Sequence, residues 1–177
     1  MRFIMNPEQT FFETLAWDTT CFIDDDINPS TLRIVTKTLV YAKIKKMPFT
    51  VYIKSSGGDV LTSLKIYSAI KAHPYPTKGI IIGEANSAAA TVLQACDKRL
   101  VHRYNNIHLH AINSYRSVYT EKDVEGMKYQ VIVENILSKT TLLSLKEVKS
   151  IMKNIGGKRF FDKEILDVGL ADKFIKE

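Results

Sequence analysis

The sequence has few cysteines and prolines, and it lacks long apolar runs. Its 177 residues include two cysteines and five prolines. Cys21 and Cys96 form neither a disulfide framework nor the spacing of a metal site, so we expect no metal. No stretch reaches the roughly 20 apolar residues of a membrane span. Asn6, Pro7 and Glu8 interrupt the N-terminus, which therefore lacks the apolar core of a signal peptide. We expect a cytoplasmic protein that does not contact membranes.

The charge pattern does not indicate a nucleic-acid partner. The formal net charge is +6, but the lysines are dispersed, with one small cluster at Lys43, Lys45 and Lys46. Because no basic patch is interleaved with aromatic residues, the lysines fit a solvated surface better than a nucleic-acid site. We expect neither a nucleic-acid partner nor a cofactor.

Hydrophobic periodicity predicts alternating strands and helices up to about residue 111. In chain order these are a strand at 21–23, a helix starting near 28–30, a strand at 49–53, a helix from 59, a strand at 79–82, a buried helix at 87–95, and short strands at 100–101 and 107–111. This order favours an α/β layer with parallel strand pairing.

The pattern changes after residue 117. Amphipathic helices are predicted at 121–139 and 145–153, followed by a last helix at 162–168 and a strand at 173–175. We expect a single domain over 1–177, with a core formed by 1–112 and 155–177 and a helical insertion at 113–154.

The first segment with chemical potential ends a predicted strand in Gly57-Gly58 and continues into a helix at Asp59. Glycine permits unusual backbone angles and close approach, and an N–H group near a helix start stabilises negative charge. The alternative is a simple loop in which Asp59 caps the helix. Taken alone, the segment favours the loop.

The second segment places Ser87 at a sharp turn between a strand and a buried helix, flanked by small residues. Such a turn holds a serine hydroxyl where the following N–H group faces a developing oxyanion. A capping serine is the common alternative. A third segment, at 107–110, carries His108 and His110 on one face of a predicted strand. These histidines suit a general base, a metal site that lacks a third ligand, or an ordinary pair of structural histidines.

Taken together and in this order, the segments resemble the Clp proteolytic subunit family (ClpP), within the ClpP/crotonase fold. The family's Ser-Pro-Gly-Gly-x-Val element is matched at 54–60, and its Gly-x-Ala-x-Ser turn at 83–87. Its Asn…His strand is similar to 105–110, and its Tyr-Gly-Leu-x-Asp ending to 168–172. The insertion at 113–154 falls where the family has its handle helix. The resemblance implies a repeated ββα core with a helical handle.

The resemblance also implies a mechanism and an assembly. Ser87 corresponds to the nucleophile, His110 to its base, and the backbone N–H groups of Gly58 and Ala88 to the oxyanion hole. His108 has no counterpart in the motif. The family implies a ring, a heptamer or a tetradecamer of two stacked heptamers, that cleaves peptides or unfolded proteins and receives them from an AAA+ unfoldase.

One position departs from the family where chemistry requires an acid. Aligned without a gap, Gly157 occupies the place of the triad aspartate, whose work is to orient the imidazole. Asn154 is our prediction for the third residue, through its amide oxygen, and a Ser87–His110 dyad is the alternative. Asp162 is interpreted instead as the N-cap of the last helix.

Three functions remain open on the sequence alone. The retained Ser87 and His110 favour a serine-type endopeptidase. The missing acid favours a catalytically silent, ClpP-like structural or binding subunit. A crotonase-type acyl-CoA enzyme shares the fold but leaves the Ser–His pair unexplained.

Overall fold

The computed structural model describes residues 19–112, 124–154 and 156–175. The strands in these ranges are β1 (Thr20–Ile23), β2 (Phe49–Ser55), β3 (Thr77–Ala85), β4 (Lys98–Val101), β5 (Asn106–Leu109), β6 (Lys158–Phe161) and β7 (Lys173–Phe174). The helices are α1 (Pro29–Lys45), α2 (Val60–Lys71), α3 (Ala88–Leu93), α4 (Val124–Thr140), α5 (Leu145–Lys153) and α6 (Asp162–Asp167).

The strands form one sheet with a branch at β3. The main path runs β1-β2-β3-β4-β7, and its neighbours are parallel. The C-terminal end of β3 also pairs with β5 at Glu84 and Asn106, and β5 pairs antiparallel with β6. The α/β fold with parallel pairing is therefore confirmed, and the branch carries β5 away from the main path next to the end of β3.

The start of α1 shows why the sequence signal at 28–30 was informative. The Asn28 side chain accepts hydrogen bonds from the N–H groups of Ser30 and Thr31, and Pro29 is the first helical residue. The Thr31 hydroxyl completes a capping box, which satisfies N–H groups that a helix start leaves unpaired. The helix is thereby fixed in register, with Val35 among the residues that it buries against the sheet.

Helix α3 lies inside the core and is shorter than the sequence indicated. All six of its residues, Ala88–Leu93, are buried. The predicted helix at 87–95 was too long at both ends, because Ser87 has non-helical backbone angles and the chain turns at Gln94. Small side chains at 88–90 let the helix approach the sheet and α2 closely.

Strand β5 also differs from its prediction at 107–111. It ends at Leu109, opposite Lys158, the first residue of β6. Before Lys158 the backbone turns at Gly157, which has a φ of +60°, and within the described ranges the pairing of β5 with β6 ends at Leu109 and Lys158. His110 therefore lies one residue past the strand rather than within it.

The two helices predicted at 121–139 and 145–153 are close to their predicted bounds, and residues 121–123 lie outside the described ranges. Helix α4 buries Val133 and Leu137 in the protein's own core. Met127, Val131 and Ile132 on the same helix are exposed, at 40%, 51% and 43%. Helix α4 therefore carries a second set of apolar side chains that the protein's own core does not cover.

Within the described ranges, no helix combines the length and the apolar composition that crossing a membrane requires.

Candidate active site

Ser87 stands at the turn between β3 and α3 in a backbone conformation that is rare for a residue with a side chain. Its φ is +53° and its ψ is −121°. Such angles cost about 1–3 kcal/mol and persist only where the surrounding structure imposes them. Although Ser87 occupies the N-cap position of α3, its side chain makes no capping hydrogen bond. The capping alternative is therefore wrong, and the partly exposed hydroxyl is left available.

The Gly57-Gly58 loop lies directly against this turn. Both glycines have positive φ, +119° and +132°. A Cβ atom on Gly57 would lie 2.8 Å from the Ser87 Cβ, and one on Gly58 would lie 2.5 Å from the Ile27 carbonyl oxygen. Asp59 does cap α2, accepting from the Thr62 N–H group at 2.7 Å. The loop is thus both a helix start and a close backbone neighbour of Ser87.

The two N–H groups expected to form an oxyanion hole have no acceptor among the residues that the structure describes. The neighbours of Gly58 are bonded, because the Gly57 carbonyl accepts from Ile27 at 2.6 Å and the Asp59 N–H group donates to Ile27 at 2.8 Å. The N–H groups of Gly58 and Ala88 appear as donors in none of these bonds. Two unpaired donors near a serine suit a developing negative charge.

Strand β5 brings His110 to the same place. The Ser87 N–H group donates to the His108 carbonyl oxygen at 2.7 Å, which ties the turn to β5. Ser87 and His110 then line one cavity. Its other walls are mostly apolar and include Val60, Thr91, Leu109, Ile112, Val133 and Met152.

The hydrogen bond of the His110 ring determines which nitrogen is free. Nδ1 lies 2.6 Å from the Ala111 carbonyl oxygen. Because a carbonyl only accepts, Nδ1 carries the proton and Nε2 is left as a proton acceptor. Burial lowers the pKa of His110 below its ordinary value, the bond to Ala111 opposes this, and the charges of His108 and Arg159 lower the pKa further.

His108 is engaged elsewhere. Its Nε2 donates to the Gly156 carbonyl oxygen at 2.9 Å, and its Nδ1 lies 3.4 Å from an Arg159 nitrogen. The rings of His108 and His110 are 5.0 Å apart, as expected for one face, but His108 is not among the residues that line the cavity. Across the described ranges, no three His, Cys, Asp or Glu side chains are grouped to hold a metal.

Among the hydrogen bonds of the described residues, neither Asn154 nor Asp162 bonds the His110 ring, and Gly157 has no side chain to do so. Asn154 follows the end of α5, and its Oδ1 accepts from the Gly156 N–H group at 3.1 Å. Asp162 is the first residue of α6, with a φ of +46°, and Phe161 takes the N-cap position, so the N-cap prediction for Asp162 was wrong. A Cβ on Gly157 would lie 2.5 Å from the His110 Cβ.

Two residues that the sequence did not single out approach the site from α4. Gln130 Oε1 accepts from the Ile112 N–H group at 2.9 Å, and Gln130 Nε2 donates to Glu134 Oε1 at 2.9 Å. Their spacing of four residues indicates a helix pair. That spacing does not indicate which loop the pair contacts.

Fold and site together define a class. The protein is an α/β protein with a serine on a strained strand-to-helix turn, beside a histidine and two backbone N–H groups that have no acceptor among the described residues. The chain belongs to the Clp protease family, since the family model described as Clp protease matches residues 6–177.

Two relatives illustrate the likeness. A curated protein of Pleurastrum terricola, the ATP-dependent Clp protease proteolytic subunit, is 29% identical over 89 residues, which cover 48% of this chain and 45% of that protein. The chain thus aligns with less than half of that relative's length. A solved mutant form of ClpP1 from Listeria monocytogenes has a TM-score of 0.81 at 20% identity, covering 94% of this chain and 96% of that chain. At this identity the second likeness demonstrates the fold alone.

Proposed function

We propose that this protein is a serine-type endopeptidase with Ser87 as nucleophile and His110 as general base. The observation that carries the proposal is the conformation of Ser87. Its backbone φ is +53°, its hydroxyl makes no capping hydrogen bond, and it lines a cavity that His110 also lines. Strain of this kind needs a reason, and a reactive hydroxyl at a helix start supplies one. Membership of the Clp protease family supports the same reading.

The proposed reaction follows from the free atoms of the site. Nε2 of His110 takes the proton from Ser87 Oγ as this oxygen attacks the scissile carbonyl. The N–H groups of Gly58 and Ala88 donate to the resulting oxyanion. The imidazolium then gives its proton to the leaving amine, and a water molecule, activated by the same Nε2, hydrolyses the acyl-enzyme.

The surroundings of Ser87 suggest the substrate and assembly. The mostly apolar walls of the cavity suit an apolar side chain of a peptide or an unfolded protein. The exposed apolar side chains of α4 suit contacts between subunits, and we propose a closed ring, a heptamer or a tetradecamer. The relative's description as ATP-dependent supports an AAA+ unfoldase as partner. The cytoplasmic location stays a prediction.

A second candidate is a catalytically silent structural or binding subunit. In the described ranges, no hydrogen bond joins Ser87 to His110, and a glycine stands where the family has its acid. Catalytic hydrogen bonds are often long before substrate binds, so the first observation does not exclude catalysis. Only activity distinguishes the two candidates.

Peptide hydrolysis by three variants tests the proposal. Ser87→Ala and His110→Ala should each lower kcat by about 10³-fold or more, because the pair acts as a unit. His108→Ala, a change two residues earlier on β5 and outside the cavity, should cost much less. Wild-type activity that survives Ser87→Ala would refute the proposal, and a folded wild type without activity would favour the silent subunit.

The role of Asn154 as third residue stays a prediction, and Asn154→Ala tests it beside Asp162→Ala. In the arrangement seen, the Ala111 carbonyl already accepts from His110 Nδ1 at 2.6 Å. If that bond suffices, both variants keep nearly full activity. A large loss in Asn154→Ala alone supports the amide as the third residue, and a large loss in Asp162→Ala alone points to that carboxylate.

A further inference from the structure

A chain of hydrogen bonds runs from the buried carboxylate of Glu134 to the proposed base. Glu134 Oε1 accepts from Gln130 Nε2 at 2.9 Å, and Gln130 Oε1 accepts from the Ile112 N–H group at 2.9 Å. The Ala111 carbonyl oxygen accepts from His110 Nδ1 at 2.6 Å. The Ala111 carbonyl and the Ile112 N–H belong to one peptide group, so the chain is continuous.

We propose that Gln130 and Glu134 are positioning residues for His110 and that, through this peptide group, they replace the acid missing at Gly157. The proposal rests on the serine peptidase function proposed above. Neither residue is among those that line the cavity, and neither hydrogen-bonds the His110 ring in the part of the chain that the structure describes. Each acts by fixing and polarising the Ala111–Ile112 peptide group.

The Ala111–Ile112 peptide group determines the orientation of the His110 ring. Its N–H side is held by Gln130 Oε1 and its C=O side by His110 Nδ1. A peptide group is planar, so holding the N–H side also fixes the direction of the carbonyl oxygen. Donation by the N–H group to Gln130 makes that oxygen a stronger acceptor, because linked hydrogen bonds polarise one another.

Glu134 adds charge to the chain. It is 7% exposed, and a buried carboxylate is costly unless hydrogen bonds satisfy it. A structural role as a helix pair would account for the bond between Glu134 and Gln130. A helix pair would not account for the second bond, in which the side-chain oxygen of Gln130 accepts from the Ile112 N–H group. That N–H group lies two residues after the proposed base.

The negative charge of Glu134 stabilises His110 when that residue becomes an imidazolium. His108 on β5 and Arg159 on β6 oppose that positive charge, as does the partial burial of the ring. Glu134 on α4 supplies negative charge, transmitted through two amide groups that are already aligned. Aligned dipoles that need no reorganisation during the reaction are the usual source of transition-state stabilisation.

Glu134→Gln removes the charge while keeping the shape and an oxygen that accepts from Gln130. We expect the pKa of His110, measured from its ring ¹³C resonance, to fall by roughly 0.3 unit or more. We also expect kcat to fall by about three- to tenfold with KM unchanged, since the interaction matters in the transition state. Asp167→Asn, which removes an exposed carboxylate at the end of α6, is the matched control and should change neither value.

Gln130→Met breaks the chain without a large change in volume. It should lower kcat at least as much as Glu134→Gln, and adding Glu134→Gln to it should cost nothing more, because the two residues act in series. The proposal is overturned if the pKa of His110 and kcat are the same in the wild type, Glu134→Gln and Gln130→Met. It is also overturned if the losses of the two variants simply add.

The NMR measurement separates this proposal from the proposed function. A shift of the His110 pKa in Glu134→Gln supports the chain of bonds whether or not the protein hydrolyses peptides. Activity that is lost in Ser87→Ala, together with an unshifted pKa, would retain the peptidase and reject the chain. If Glu134→Gln does not fold, the same comparison is made with Gln130→Met.

Discussion

At Gly157 the backbone passes against His110 so closely that no side chain fits. A Cβ atom there would lie 2.5 Å from the His110 Cβ and 2.1 Å from the Leu109 carbonyl oxygen, and φ is +60°. Restoring the family's acid by Gly157→Asp should therefore fail. We expect lower peptidase activity and a loss of about 2 kcal/mol or more in the free energy of unfolding by urea.

Gly156→Ala is the matched control for that variant. The nearest atom to a Cβ on Gly156 is Asn154 Oδ1 at 3.7 Å, an ordinary contact. Its free energy of unfolding should stay within about 0.5 kcal/mol of the wild type. A Gly157→Asp variant more active than the wild type would contradict the steric account of this position.

The depressed pKa of His110 has a consequence for the pH dependence of activity. Only the neutral imidazole accepts a proton, so kcat/KM should rise with pH through the pKa of the free protein. Because burial lowers this pKa, the midpoint should lie below the ordinary histidine value of about 6.5. Arg159→Gln removes a positive charge that lowers the pKa, so its midpoint should move to higher pH.

The same shift affects stability with a definite sign. As pH falls, the unfolded chain protonates His110 before the folded protein does, so the stability that this residue contributes above the unfolded pKa is lost between the two pKa values.

A midpoint of kcat/KM above that of an ordinary histidine, or one that Arg159→Gln moves downward, would contradict the assignment of His110 as base.

At the scale of elements, α4 serves two surfaces. Val133 and Leu137 are buried in the core, whereas Met127, Val131 and Ile132 are exposed. If those exposed side chains are covered by other subunits, Ile132→Glu should weaken assembly strongly, because a charge buried at an apolar contact lacks a partner. Sedimentation velocity of the variant should show smaller species than the wild type at equal concentration.

Lys139→Glu is the control on the same helix. Lys139 is exposed and lies in the last turn, about two helical turns beyond Ile132, and it is already charged, so its replacement should change the sedimentation pattern much less than Ile132→Glu does. A wild type that sediments as a monomer at micromolar concentration would rule out the ring. An Ile132→Glu variant that assembles normally would instead place the subunit contacts elsewhere.

Across the whole molecule, local signals in the sequence were sufficient for most of the helices and strands and for the turn at Ser87, but they did not predict β6. Asn28 and Pro29 marked the start of α1, and the break at Gly57-Gly58 marked the end of β2. These signals are short-range, since capping and backbone strain depend on a few neighbouring residues. Ser87 and His110, which the resemblance to the family assigns as nucleophile and base, line one cavity, and each lies within two residues of the end of a strand.

The parts that sequence reasoning missed depend on contacts between distant segments. Gln130 is 18 residues from Ile112, and the spacing within α4 carries no information about that contact. The Ala111 carbonyl oxygen belongs to the backbone, so the residue type at this position does not indicate that it accepts from His110. The end of β5 at Leu109 is decided by its pairing with β6, some 50 residues later in the chain.

Labelling with a fluorophosphonate, followed by peptide mapping in a mass spectrometer, tests the central claim most directly. A fluorophosphonate reacts with a serine whose hydroxyl is activated by a base, and ordinary surface serines are inert to it. The account predicts one adduct per chain, on Ser87, absent from Ser87→Ala and formed much more slowly in His110→Ala. An adduct on another residue of a protein that hydrolyses peptides, or no adduct on the folded wild type, would contradict it.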